Sequence, residues 1–132
     1  MKRVMKIGKN RTITFDDENN ENIYESLEDW KADGERRFGR DILKWKFKCP
    51  MCGHVAAVED FKAAGAKDPA NSAYEECLGR YTGKDSPKEG DSLGCNWAAY
   101  GFFGIPNGGA YVFTGPEQGA HIFEFAEEKI DE

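Results

Sequence analysis

CPMCGHVAAVEDF, residues 49–61, sets how the rest of the chain is read. Cys49 and Cys52 flank a two-residue gap containing Pro50, and Gly53 follows. This is the form of a metal-binding turn: the proline limits the turn, and the glycine lets backbone N–H groups approach the sulfurs. A tetrahedral ion needs four donors, and this turn supplies two. The chain has four cysteines, so the missing pair is Cys77 and Cys95. Twenty-four residues separate Cys52 from Cys77 and seventeen separate Cys77 from Cys95, so cysteine count more than spacing completes the set.

Four thiolates would close the coordination of a zinc ion and leave no position for water. Cys77 is expected at a helix end and Cys95 in the turn Gly94-Cys95-Asn96, so the ion would tie three distant segments together. Such a tie adds folding free energy to a glycine-rich chain with a thin core. The alternatives are that Cys77 and Cys95 are ordinary buried thiols, or that iron takes the place of zinc. His54 is expected to hydrogen-bond behind the ligands or to face solvent. His121 is expected to be a partly exposed strand residue on the face opposite Ile122.

Upstream of the turn, ILKWKFK at 42–48 alternates, with Leu43, Trp45 and Phe47 on one face and Lys44, Lys46 and Lys48 on the other. That is the pattern of a half-buried strand. Residues 2–7 and 11–15 predict two strands around a Gly8-Lys9-Asn10 turn, followed by a polar turn to residue 22. Ser26 as N-cap with Asp29 three residues on predicts a helix that stops at Gly39, with Leu27, Trp30 and Phe38 on its apolar stripe. HVAAV predicts a short strand, Glu59 to Ala64 a short helix, and Ser72 to Leu78 a second helix stopped by Gly79. Two final strands are expected at 110–114 and 120–126. The expected fold is therefore α+β: a small antiparallel sheet with two or three helices around a four-cysteine zinc knuckle, as a single domain over residues 1–132.

The N-terminus has basic residues but no apolar core of a signal peptide, and no apolar run has transmembrane length. A cytoplasmic protein without membrane contact is expected, and in that compartment four cysteines favour a metal over disulfides. No H-E-x-x-H, G-x-S-x-G or phosphate-binding glycine loop is present, and C-P-M-C has no H-x-E before it, so no enzyme is expected. The net charge of −6 counts against nucleic-acid binding driven by overall charge. Trp45, Phe47, Trp97, Tyr100, Phe102 and Phe103, with Lys44, Lys46, Lys48, Arg36, Arg37 and Arg40 nearby, could form a stacking surface for bases, but alternating aromatics read more simply as core.

The run EDWKADGERRFGRDILKWKFKCPMCGHVAAVEDFKAAGA, then YEECLGRYTG, GCNWAAYGFFGI and the terminal HIFEFAE, resembles a family of small zinc-knuckle proteins encoded by phages and prophages of Gram-positive bacteria. The resemblance covers about residues 28–126 and leaves the N-terminal hairpin outside. It implies Cys49, Cys52, Cys77 and Cys95 as ligands and the cytoplasm of a bacterial host as the setting. The chain is also similar to zinc-containing type II anti-CRISPR proteins. That similarity implies a protein that binds a Cas9-type effector and hinders its DNA binding, and a monomer is expected. The alternative is an accessory protein that binds nucleic acid through the Lys31–Lys48 region or scaffolds other phage proteins.

Overall fold

The computed structural model of the protein describes residues 1–7, 11–18, 22–85, 94–98, 105 and 109–126. The N-terminal hairpin forms from β1 (Lys2–Ile7) and β2 (Arg11–Asp16), antiparallel with Lys2 opposite Asp16 and Ile7 opposite Arg11. A two-residue strand, β3 (Ile23–Tyr24), leads into α1 (Leu27–Phe38). Ser26 caps this helix by accepting the Asp29 N–H at 3.1 Å, and Gly39 ends it with φ +88°. Ser26→Ala is therefore expected to cost about 1 kcal/mol in urea denaturation, the usual value of such a cap.

The helix lies under an aromatic cluster. Trp30 stacks on Phe125 at 5.3 Å between centroids and meets Trp45 edge-on at 5.8 Å. Gly34 is the one buried residue of α1, and its place is set by Trp45: a Cβ there would lie 2.5 Å from the indole ring. Leu27 departs from the expected stripe and is 37% exposed. The outer face of α1 is tied down by charge. Asp33 accepts bonds from Tyr24 Oη at 2.6 Å and Arg37 Nε at 3.0 Å, and Arg36 also pairs with it. Burial alone would raise its carboxyl, but these three donors outweigh burial and hold it below the ordinary carboxylate range.

The stretch ILKWKFK keeps its expected faces but not its expected length. Trp45 and Phe47 are buried and Leu43 is half-buried, but Ile42–Lys44 is a 3-10 turn and only Lys46–Lys48 is strand (β4). The cause is local: Asp41 accepts the Leu43 N–H at 3.0 Å and winds the backbone before the strand starts. β5 (Val55–Ala57) pairs antiparallel with β4 and runs into α2 (Val58–Ala63), where Asp60 accepts the Ala57 N–H at 2.8 Å. The next helix is displaced from the expected 72–78. It is α3 (Pro69–Ser72), with Asp68 as N-cap and proline at the first helical position. Leu78–Tyr81 is a separate 3-10 turn.

β6 (Ala110–Gly115) and β7 (Gln118–Ile122) form the expected C-terminal hairpin, and β8 (Glu124–Phe125) follows. The α+β class is as expected, but there are two sheets. The larger has the order β2-β1-β7-β6-β3 and contains two parallel pairs, β1 with β7 and β3 with β6. The smaller has the order β5-β4-β8 and is antiparallel. One face of the larger sheet carries Met5, Ile7, Phe15 and Phe113, and the other packs Ala110, Val112 and Ile122 against Trp30 and Tyr74.

His121 is not partly exposed as expected. It is 2% exposed, stacks on Tyr111 at 4.1 Å, and accepts the Ile105 N–H on Nδ1 at 2.9 Å. Both faces of β7 are covered here, so alternation along the strand does not mark an exposed side.

Candidate metal centre

The four cysteines come from three separate pieces of chain, as the sequence predicts. Cys49 follows the end of β4, and Cys52 lies in the turn after it. Cys77 is the N-cap of the 3-10 turn Leu78–Tyr81, not the last residue of a helix. Cys95 follows Gly94, whose φ is +119°. The second and third pieces are paired: Glu76 and Ala98 form an antiparallel bridge, and the Cys77 N–H reaches Trp97 O at 3.1 Å. Arg80 closes this pairing by donating to Asn96 O at 2.7 Å.

The ligand atoms of Cys49, Cys52, Cys77 and Cys95 all lie within 4.8 Å of one another. Cys49 Sγ is 3.8 Å from Cys95 Sγ, and Cys52 Sγ is 3.7 Å from Cys77 Sγ. A regular tetrahedron with metal–sulfur bonds of about 2.3 Å has edges of about 3.8 Å. These two edges agree with that value, and none of the four cysteines is in a disulfide. The cluster can hold a metal ion.

Backbone amides converge on the sulfurs. Within the turn, the Cys49 N–H donates to His54 O and the Gly53 N–H to Cys49 O, both at 2.9 Å. The amides of Met51 and Cys52 point at Cys49 Sγ, those of Gly79 and Cys95 at Cys77 Sγ, and that of Trp97 at Cys95 Sγ. The Cys95 amide is 3.3 Å from Cys77 Sγ. Amide donors of this kind stabilise thiolate over thiol. The Cys77 thiol is drawn down to about 5, first by its bond with Cys49 and then by the Gly79 and Cys95 amides. Cys49 is pushed up by that same bond and by burial, and burial raises Cys95 to about 11. Thiols this crowded share protons until a cation replaces them.

The surroundings are apolar. Cys49, Cys77 and Cys95 are at most 2% exposed and pack with Phe47, Phe61 and Phe123, while Cys52 is half-buried. His54 contributes its carbonyl to the turn, and its ring is not in the ligand cluster. Beside the cluster, Tyr81 donates to the buried Glu76 and lies 3.4 Å from Ser72 Oγ. Gly79 is the residue whose role the sequence does not reveal. It is not a helix stop but the point where two ligand segments touch: a Cβ there would lie 2.4 Å from both N and O of Cys95.

The other expected features are dispersed. Lys44 pairs with Glu59 at 3.1 Å, and Lys48 faces Glu124 across the β4–β8 register. Arg36 and Arg37 pair with Asp33, and Arg40 pairs with Glu35. Trp45 and Phe47 are core, and Trp97 stacks on Phe123. Tyr100, Phe102 and Phe103 lie outside the described residues. Among the described residues, no helix is long and apolar enough to cross a membrane.

No curated protein and no solved structure matches the chain. The family described as VVA0879-like matches residues 26–126, a span that contains all four cysteines and leaves β1, β2 and β3 outside it. On that match the chain belongs to the VVA0879-like family.

Proposed function

We propose that this chain is a zinc-stapled binding protein without an enzymatic site, and that its partner is a Cas9-type CRISPR effector whose DNA binding it hinders. The observation that carries the zinc reading is the cluster of four sulfurs within 4.8 Å of one another. Its 3.7 and 3.8 Å edges suit zinc–sulfur bonds of about 2.3 Å, and a four-thiolate shell has no open position for a reacting water. Protein purified without added metal is expected to carry about one zinc per chain by elemental analysis. Acidification should release the ion, because each thiolate must then take up a proton.

The partner reading draws on the family resemblance and on charge. CRISPR effectors hold nucleic acid in basic channels, and a chain of net charge −6 is steered toward such surfaces. In the competing reading, the chain is an accessory protein that binds nucleic acid through Lys44, Lys46 and Lys48. Glu59 and Glu124 beside that row weigh against it. Both interactions are measurable on one preparation. The proposal expects stoichiometric binding to the guide-loaded effector, loss of target-DNA binding, and an affinity that falls as salt rises. Lys44, Lys46 and Lys48 changed together to Glu should leave that binding in place. A preparation that ignores the effector but binds DNA or RNA, and loses this in the lysine variant, would overturn the proposal.

A further inference from the structure

We infer that the outer edge of β2 is a self-association surface, taking the β2 of a second copy of this chain in antiparallel pairing. This goes beyond the partner reading above and departs from the monomer that the sequence suggests. β2 ends the five-stranded sheet, and among the described residues no strand pairs with its outer side. The hydrogen-bond phase shows which main-chain groups face out. The Asp17 N–H donates to Met1 O at 3.0 Å, toward β1, whereas the Lys6 N–H turns away from β2 to Glu117 O at 2.6 Å. With the β1–β2 register, this alternation points the N–H and C=O groups of Arg11, Ile13 and Phe15 inward and those of Thr12, Thr14 and Asp16 outward.

Exposed edges are usually blunted by proline, a bulge, an inward charge or a lysine within the strand. The strand RTITFD has none of these: its register with β1 runs without a shift, and its charges lie at its two ends. Thr12 and Thr14 are both exposed.

The edge is also complementary to itself. A two-fold axis through Thr14 places Thr14 opposite its own copy, Ile13 opposite Phe15 of the second copy, and Arg11 opposite Asp17 of the second copy. Opposed residues then have the same parity, so both copies keep their apolar faces on one side and the sheet continues across the axis. The apolar pair extends the cluster in which Ile13 already packs beside Phe15, Met5 and Ile7. Asp17 already meets the Met1 ammonium at 3.2 Å, and Arg11 of the second copy would join it there, so that opposite charge favours this register over its neighbours.

The test is the solution mass of the full chain, by sedimentation equilibrium from low micromolar to near-millimolar concentration. The expected result is a rise from 14.8 kDa toward twice that value. Thr14→Pro removes an outward N–H and leaves the inner ladder intact, so it should melt as wild type and stay at 14.8 kDa throughout. Thr14→Lys retains the N–H but sets two like charges face to face at the axis, and it should also stay monomeric. Arg11→Asp should weaken the dimer about tenfold, and Arg11→Asp with Asp17→Arg should restore it. The inference is overturned if wild type remains at 14.8 kDa at every concentration, as it would if a strand from another protein were the natural occupant. Dimerisation of Thr14→Lys with unchanged affinity would overturn it too.

Discussion

Cys77→Ser is expected to yield a chain that retains no metal and is destabilised by about 4 kcal/mol or more. Cys77 is where the ligand segments meet: its sulfur is 3.7 Å from Cys52 Sγ and takes the Cys95 N–H at 3.3 Å. A serine oxygen is shorter and binds a proton far more tightly than a thiolate does, so it neither reaches the ion nor replaces the lost charge. The remaining three thiols would stay crowded in an apolar setting without a cation. Reading the bound metal and the urea midpoint on the same sample separates this from the simple buried-thiol alternative, for which a change of about 1–2 kcal/mol and no change in metal content would be expected. A strong chelator should bring wild type to the stability of the variant and leave the variant unchanged.

Gly79→Ala is expected to damage the same centre without touching a ligand. The added carbon would lie 2.4 Å from backbone N and O of Cys95, and backbone atoms cannot move aside as a side-chain end can. To make room, the 94–98 segment must separate from the 3-10 turn, which lengthens the Cys77 N–H to Trp97 O bond and shifts Cys95 Sγ off its tetrahedral corner. A loss of about 3 kcal/mol is expected, at the upper end for overpacking, together with faster metal loss to a chelator. Unchanged chelation kinetics would show that the metal centre does not depend on the close approach of these two segments.

These two residues also show how far the sequence could be read. The ligand set was legible because a C-x-x-C with proline and glycine is a local signal, and only two other cysteines existed to complete it. The sequence predicts a helix stop at Gly79, because a glycine needed for close approach looks the same in sequence as one needed for a turn. The helix expected from Ser72 instead starts at Asp68-Pro69, where proline's fixed φ suits the first helical position. By contrast, α1 was legible at both ends, because Ser26 and Gly39 act through bonds within a few residues.

Long-range pairing left little local trace. Nothing in LKWKFK states that β4 pairs with β8, with Phe47 opposite Phe125 seventy-eight residues later. The parallel contact of β1 with β7, Lys6 opposite Gln118, is equally invisible to a reading by periodicity. His121 departs from its expected exposure for a related reason: its burial depends on Ile105 and Tyr111, which come from other parts of the chain.

The closed zinc shell proposed for Cys49, Cys52, Cys77 and Cys95 can be read by X-ray absorption at the zinc edge, on protein purified without added metal. The predicted result is four sulfur neighbours at about 2.3 Å and no oxygen or nitrogen neighbour. A shell containing a light-atom ligand, or zinc well below one per chain, would contradict it.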